Sequence, residues 1–499
     1  MSIDEPGPVA GPSVKAGILS RAYAAGRWAM AGEIVSRLTQ PLVLFVLARL
    51  LEPQDFGVVT AAVMVLSFAQ ALWEAGLAKA LVQTELPGEQ MRSAASTAVW
   101  TNLVLAIVLY AVAYEAAPWI AAAFGDERAI ALIRVQGLGI PMLAIGAVPL
   151  ALFQRELRFR PIFWGRLAAA WVPGMVGIPI ALLGGGYWAL TIGSLAGTAF
   201  QVVVWLALSD RGLFRGWSAA RLAALARFGQ WSTGEAVVSW SMQWLDVFLI
   251  GLFLTSHELG LYRTSSMVVA MVFMMAIGSV MPVLYAALSR LKGDRAMMEA
   301  MFTRAVKASA MVGMLLAAIM VAAPAEWSAV LLGEEWREMG QVLRYLAVVQ
   351  GISWLGAANA EFYRAMGRPD LNMKVIIGCL MFYAPFLAWA GQRGIEAFLI
   401  ARLVAGVAGL MVHAVVTWRT AKISPMRLLR EARWFIAGGL SAGLAGIVTN
   451  GRLNGDWQRA AGATAVALAV FGMVCWRERR FIADMFRDFR SIAPHASGD

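Results

Sequence analysis

RWAMAGEIVSRLTQPLVLFVLARLLEPQDFGVVTAAVMV (27–65) lies without a gap on QWSTGEAVVSWSMQWLDVFLIGLFLTSHELGLYRTSSMV (230–268). Trp28 falls on Trp231, Ser36 on Ser239, Gln40 on Gln243, Leu42 on Leu245, Phe45 on Phe248, Leu51 on Leu254 and Gly57 on Gly260. The acid just before that glycine is kept in kind, as Asp55 against Glu258. Both copies sit in long apolar runs, so the chain reads as a membrane protein whose two halves repeat one unit. In membranes that architecture belongs to transporters, with the substrate site between the repeats.

The rest of the composition agrees. The chain is 60% hydrophobic, 15% charged and carries 20 Trp, too apolar for a soluble domain of this length. Windows long enough to cross a bilayer recur near 28–50, 56–82, 95–120, 131–154, 162–183, 187–209 and 228–254. They continue near 259–288, 302–324, 341–363, 371–390, 394–418, 433–450 and 458–476. The expectation is an all-α polytopic protein of about fourteen helices. Residues 1–20 hold Asp4, Glu5, Pro6 and Pro8 and no apolar core before a cleavage site, so the first helix, preceded by Lys15, Arg21 and Arg27, is expected as an uncleaved anchor.

Basic residues mark every second loop. Arg155, Arg158, Arg160 and Arg166 form the first group, Arg211, Arg215 and Arg221 the next, then Arg290, Lys292 and Arg295. Arg364, Arg368 and Lys374 follow, then Arg419, Lys422, Arg427 and Arg430, and finally Arg477, Arg479 and Arg480. Between them, Gly184-Gly185-Gly186 is uncharged and 326–338 is net acidic. This alternation puts both termini in the cytoplasm and makes the helix number even. The net charge of +11 therefore reflects topology and contact with anionic membrane lipids, and its spread over many loops is no nucleic-acid footprint.

Several chemistries are excluded. There is no G-x-x-x-x-G-K-[ST] loop and no H-E-x-x-H, and His257, His413 and His495 are too scattered for a metal site. Cys379 and Cys475 lie in separate spans and read as apolar fillers. Loops are short and offer neither a large external domain nor an acidic pair for a metal-bound substrate. No catalytic residue, cofactor or metal is expected.

The stretch Leu47-Ala48-Arg49-Leu50-Leu51-Glu52-Pro53-Gln54-Asp55-Phe56-Gly57 resembles the first-helix hallmark of bacterial polysaccharide exporters and lipid-linked oligosaccharide flippases. Glu74-Ala75-Gly76-Leu77 with Ala80-Leu81-Val82-Gln83 resembles that family's second helix. Leu152-Phe153-Gln154-Arg155-Glu156-Leu157-Arg158-Phe159-Arg160 resembles its basic loop after helix four, and Tyr363-Arg364-Ala365-Met366-Gly367-Arg368-Pro369 the one after helix ten. The second copy, Leu254-Thr255-Ser256-His257-Glu258-Leu259-Gly260, lacks the Pro and Phe. The resemblance implies the multidrug/oligosaccharidyl-lipid/polysaccharide exporter fold, two six-helix bundles around a central cavity plus two C-terminal helices. The corresponding segments are 1–27 (cytoplasmic), 28–209 and 228–418 (the bundles, linked by 210–227), 419–476 (the extra pair) and 477–499 (a cytoplasmic tail).

An ionised side chain near the bilayer centre costs about 2.5–3.5 kcal/mol, so each one needs a reason. Glu33, Arg37 and Gln40 share one face of helix one, and Ser67, Gln70 and Glu74 follow on helix two. Glu235, Ser239, Gln243 and Asp246 line one side of helix seven, and Gln350, Trp354 and Glu361 mark helix ten. Glu33 and Arg37 are spaced either to neutralise each other or to meet substrate. Arg37 is the first choice for a pyrophosphate, with Glu33, Glu74 and Asp246 as candidates for ion coupling or charge balance. Asp55, Gly57, Glu258 and Gly260 read as caps and turns. The basic-loop arginines are topology determinants first and pyrophosphate attractors second, and Trp28, Trp231 and Trp354 are interfacial anchors or sugar-stacking surfaces. The expected substrate is a polyprenyl-diphosphate-linked oligosaccharide, a precursor of lipopolysaccharide, O-antigen or exopolysaccharide, crossing the inner membrane by alternating access. A polysaccharide polymerase and glycosyltransferases are candidate partners. A multidrug cation exporter of the same fold and a surface-glycan polymerase or ligase are the competing readings.

Overall fold

A chain that crosses hydrocarbon must satisfy its own backbone, and among the described residues every regular element is helical. The computed structural model describes residues 12–84, 86, 88–210, 213–277, 294–368 and 370–492. Within these, the side chains of 12–25, 29, 74, 75, 83, 227–231, 276, 277, 486 and 488–492 lie outside the description. The chain forms two compact units, Met1–Trp244 and Leu245–Asp499.

The first unit holds α1 (Pro12–Leu50), α2 (Pro53–Ala75), α3 (Leu77–Gln83), α4 (Gly88–Ala123), α5 (Arg128–Gln136), α6 (Gly139–Arg155), α7 (Phe159–Leu182) and α8 (Tyr187–Leu208). The long α9 (Ala219–Phe253) begins in this unit and ends in the second. The second unit continues with α10 (Ser256–Ile277), α11 (Arg295–Ala322), α12 (Pro324–Leu332), α13 (Met339–Trp354), α14 (Asn359–Ala365), α15 (Asp370–Gly391), α16 (Ile395–Ala421), α17 (Pro425–Asn450), α18 (Asp456–Arg477) and α19 (Arg479–Ile492).

Among the described residues, 12 helical segments are long and apolar enough to span a membrane, and each falls on one of the expected windows. This is a multi-pass membrane protein. The count of fourteen is not reached, for two reasons. The window near 259–288 runs from α10 into residues outside the description. The window near 341–363 is broken, because α13 stops at Trp354 and α14 starts at Asn359. There the Asn359 amide Nδ2 donates to the carbonyl of Gly356 (2.9 Å), offering the backbone an alternative to the helical ladder.

Other expected continuous helices are also interrupted. The window 56–82 divides at Gly76 into α2 and α3, and 131–154 divides at Gly137 and Leu138 into α5 and α6. A Cβ on Gly137 would lie 2.8 Å from the Ile133 carbonyl oxygen and 2.9 Å from the Tyr110 ring, so only glycine fits that corner. The acidic stretch 326–338, expected as a loop, contains α12, started by Pro324 in the first helical position, and a short 3₁₀ turn, Glu334–Trp336. Arg337 grips both Glu334 and Asp456 there, and its hydrogen bond holds the Glu334 carboxyl below the usual carboxylate range. Helix one starts at Pro12, well before residue 28, since nothing between them breaks a helix.

The repeated motif has a local physical cause. Asp55 accepts from the backbone N–H of Glu52 (3.3 Å) at the start of α2, in a reciprocal capping box. Its counterpart Glu258 accepts from the backbone N–H of Thr255 (2.9 Å) and from its hydroxyl (2.9 Å) at the start of α10. The acid persists in both copies because each seals an otherwise unsatisfied helix end.

Small residues bring the helices together, as expected where burial from water is no driving force. Gly177 of α7 and Gly193 of α8 abut the facing backbone: their Cβ atoms would lie 2.8 Å from the Ala189 oxygen and 2.7 Å from the Pro173 oxygen. In the second unit a Cβ on Gly446 of α17 would sit 2.5 Å from Ala322 of α11. Around these contacts the first unit packs Trp73, Leu81, Ala98 and Val148, and the second packs Met314, Ala318, Phe435 and Phe471. We expect Asp55→Ala and Glu258→Ala each to cost about 1 kcal/mol, read as a lower unfolding temperature in detergent. Unchanged temperatures for both would show that the repeated acids do not act as caps.

Candidate functional site in the intramembrane charge clusters

In the first unit one carboxylate serves two guanidinium groups. Arg37 Nε donates to Glu33 Oε1 (2.8 Å) one turn away on α1, and Arg166 Nη1 of α7 donates to Glu33 Oε2 (3.0 Å). The two guanidinium groups thus share a single carboxylate, one oxygen each. α7 reaches α1 here through ring packing, with Trp28 edge-on to Phe163 at 5.1 Å, and beside a small residue, Gly32, whose added Cβ would touch Phe163 at 3.4 Å. The side chains of Arg37, Arg166 and Glu33 remain 29%, 43% and 48% exposed, so a second anion can reach them. Gln40 on α1 and Gln70 on α2 are exposed as well. Glu74 belongs to α2, but its side chain lies outside the described residues.

The second unit holds its charges differently. Asp246, on the last turns of α9, accepts at Oδ2 from Arg402 Nε of α16 (2.6 Å) and from the Tyr262 hydroxyl of α10 (2.7 Å). Tyr262 is fully buried against Phe398, with ring centroids 5.9 Å apart. Asp246 thus acts in charge balance and ties three helices. Glu361 sits on α14 and accepts from Arg364 Nη1 (3.1 Å), on the far side of the break from Gln350 and Trp354. Behind it, Tyr363 meets Thr417 (3.1 Å), whose hydroxyl donates to Asn359 Oδ1 (3.1 Å), which fixes the break in place. Glu235, Ser239 and Gln243 form an exposed polar stripe along α9.

Several expected assignments change. Trp354 is buried against Phe273 (5.1 Å) and is no sugar-stacking surface. Trp28 is partly exposed beneath the Arg160 guanidinium (5.9 Å), while the side chain of Trp231 lies outside the described residues. Arg155 is committed to the carbonyls of Leu81 (3.1 Å) and Thr84 at the end of α3. Arg158 reaches the Leu208 carbonyl (3.4 Å), and Arg368 binds Asp370 with two donors (3.0 and 3.2 Å). These arginines serve local contacts first. Sequence reasoning missed Arg166, Arg402 and Tyr262 as members of the clusters. Arg402 carried a signal, being a cation within the apolar run 395–421, whereas Arg166 had been counted with the loop before α7.

A family model described as polysaccharide biosynthesis protein matches residues 46–341. The chain belongs to the polysaccharide biosynthesis protein family. The matched region includes both capping acids, Arg166 and Asp246, and excludes Glu33, Arg37, Glu361 and Arg402. The chain is 27% identical over 314 residues to the succinoglycan biosynthesis transport protein ExoT of Rhizobium meliloti (strain 1021), across 62% of each chain. It is 22% identical over 353 residues to the lipopolysaccharide biosynthesis protein WzxC of Escherichia coli (strain K12), across 70% of each. With the teichuronic acid biosynthesis protein TuaB of Bacillus subtilis (strain 168) it shares 24% over 340 residues, 66% of this chain and 68% of that one. The match to ExoT thus spans under two thirds of that relative's length.

Among solved structures, the lipid II flippase MurJ in an inward closed conformation superposes with a TM-score of 0.75 at 13% identity, covering 91% of this chain and 99% of that one. An inward-facing multidrug resistance MATE family transporter of the MOP superfamily reaches 0.60 at 15% identity, covering 78% and 99%. The expected polytopic MOP fold is the fold observed.

Removing one partner of a mostly buried ion pair strands the other. We expect Arg402→Ala to destabilise the protein by about 3 kcal/mol, and Asp246→Asn with Arg402→Gln to recover most of the loss. Folded yield and unfolding temperature in detergent report both. Wild-type stability in Arg402→Ala would mean that the pair does not hold α9 to α16.

Proposed function

We propose that this protein is an inner-membrane flippase. It moves a polyprenyl-diphosphate-linked oligosaccharide, a precursor of lipopolysaccharide, O-antigen or exopolysaccharide, from the cytoplasmic to the periplasmic leaflet by alternating access. The observation that carries the reading is the pair of guanidinium groups at Glu33, where Arg37 and Arg166 converge on one carboxylate in a region accessible from outside the protein. Exposed charges at that depth face water, since contact with lipid would cost about 2.5–3.5 kcal/mol for each. Planar guanidinium groups match a diphosphate with parallel donors and stay charged in any surroundings. The names of the relatives, which refer to succinoglycan, lipopolysaccharide and teichuronic acid biosynthesis, support the same substrate class.

In this reading Arg37 meets the diphosphate while Gln40, Gln70, Glu74, Gln243 and Glu361 offer hydrogen-bond partners to sugar hydroxyls. The polyprenyl tail stays in lipid. No bond is made or broken, so the protein is a transporter and not an enzyme, fed by glycosyltransferases and followed by a polysaccharide polymerase. A multidrug cation exporter is the weaker reading, because two accessible guanidinium groups offer donors to an anion and no matching feature to a cationic drug. Both termini are cytoplasmic: reporter fusions at 186 and 335 are expected to read external, and those at 160, 215 and 292 internal. A robust reversal at any of them would break this topology.

Arg37→Ala is expected to abolish glycan export while leaving the protein inserted and abundant, and Arg37→Lys to restore it only in part, since lysine keeps the charge but loses the fork. The combination Glu33→Gln with Arg37→Gln should stay inactive. Surface glycan per copy of protein is the measurement, and export restored in that double variant would make Arg37 a scaffold residue.

A further inference from the structure

A second basic cluster lies at the other end of the chain, where no transported group is invoked. α17 and α18 are packed neighbours joined by the short turn 451–455, so the start of α17 and the end of α18 lie on the same side of the membrane. At that level the Arg477 guanidinium stacks on the Trp434 ring, with Cζ 3.9 Å from its centroid, and Arg433 lies 5.3 Å from the same centroid. Arg479 lies 5.4 Å from the ring of Trp476. Arg430, Arg433, Arg477, Arg479 and Arg480 are all exposed, and among the described residues none pairs with a carboxylate.

The two acids within the cluster are held elsewhere. Lys307 of α11 takes the Glu478 carboxylate at 2.8 Å and lies 3.8 Å from that of Glu431. Its ammonium also sits 4.6 Å from the Phe481 ring, so the same half-buried lysine fixes the junction of α18 and α19. Glu478 faces inward to Lys307, Glu431 is exposed at the edge of the cluster, and the arginines are left outward. Stacking uses the faces of a guanidinium and leaves its in-plane N–H donors available for phosphate oxygens.

Beside the arginines the surface is apolar. Leu440 and Leu444 of α17 and Met473 of α18 are exposed along the span. α19 starts directly after the last span, with Phe481, Ile482 and Met485 half-buried and Arg480, Asp484 and Arg487 exposed. A tryptophan–arginine level above an apolar wall fits an amphiphile with a phosphate head. We propose that this cluster binds the headgroup of an anionic phospholipid in the leaflet where α18 ends, with its acyl chains along α17 and α18 and with α19 lying in the interface. The proposal is independent of the transport reading.

Full-length protein in neutral detergent, titrated with phosphatidylglycerol or phosphatidylcholine and read by native mass spectrometry, tests it. Wild type should retain phosphatidylglycerol in preference to phosphatidylcholine, and millimolar inorganic phosphate should not displace it. Each basic residue near an anionic surface contributes enough that Arg433→Gln with Arg477→Gln should bind phosphatidylglycerol about thirtyfold more weakly. Should that pair fail to fold, Arg433→Lys with Arg477→Lys carries the test, expected to stay selective but bind severalfold more weakly. Equal retention of the two lipids, displacement by inorganic phosphate, or wild-type affinity in the substituted protein would each overturn the assignment.

Discussion

A charge that enters the hydrocarbon layer must bring a counter-charge with it, and in this protein three carboxylates take one from another helix. Glu33 of α1 is met by Arg166 of α7, Asp246 of α9 by Arg402 of α16, and Glu478 at the end of α18 by Lys307 of α11. Each pair makes a tether between elements that apolar packing alone would leave free to slide, because lipid tails compete equally for an apolar face. The pairs also differ in balance. Asp246 is matched by Arg402 and further satisfied by Tyr262, whereas the Glu33 carboxylate is shared between two guanidinium groups.

The two units use one construction order. A long helix leads to a short one and then to a second long piece, as α4, α5 and α6 in the first unit and α11, α12 and α13 in the second. Two of the interruptions have an identifiable cause: a glycine that cannot carry a side chain at residue 137, between α5 and α6, and a proline at 324 that begins α12. Breaks inside spans expose backbone groups that must find partners, and the Asn359 amide supplies one for the Gly356 carbonyl while Thr417 and Tyr363 hold that amide in place. The same order with different side chains at the breaks is the expected result of a duplicated unit.

The clusters differ in exposure. The Glu33 cluster is open, the Asp246 cluster is more enclosed, and the arginines around Trp434 are open but flanked by an apolar wall. An open cationic group in a polar stripe suits a soluble head, while one above exposed leucines suits a lipid. Both kinds of site use arginine rather than lysine, which matters where a planar fork or a stacked ring sets the geometry.

Hydropathy, the repeat and the basic loops were legible in the sequence because they are one-dimensional signals: apolar run length, spacing and loop charge act wherever the chain folds. They determined the membrane class, the duplicated architecture and nearly all helix positions, and the capping role of Asp55 and Glu258 followed from local spacing alone. The tertiary structure decided which charges meet. Glu33 and Arg37 are neighbours by helical period, but Arg166 joins them only because α7 packs on α1, and Arg402 finds Asp246 across more than a hundred and fifty residues only because α16 packs beside α9. Trp354 was likewise ambiguous in sequence and buried in the fold. Pairing between distant segments depends on which helix faces touch, and that is set by close packing of small residues over the whole unit, which no local window contains.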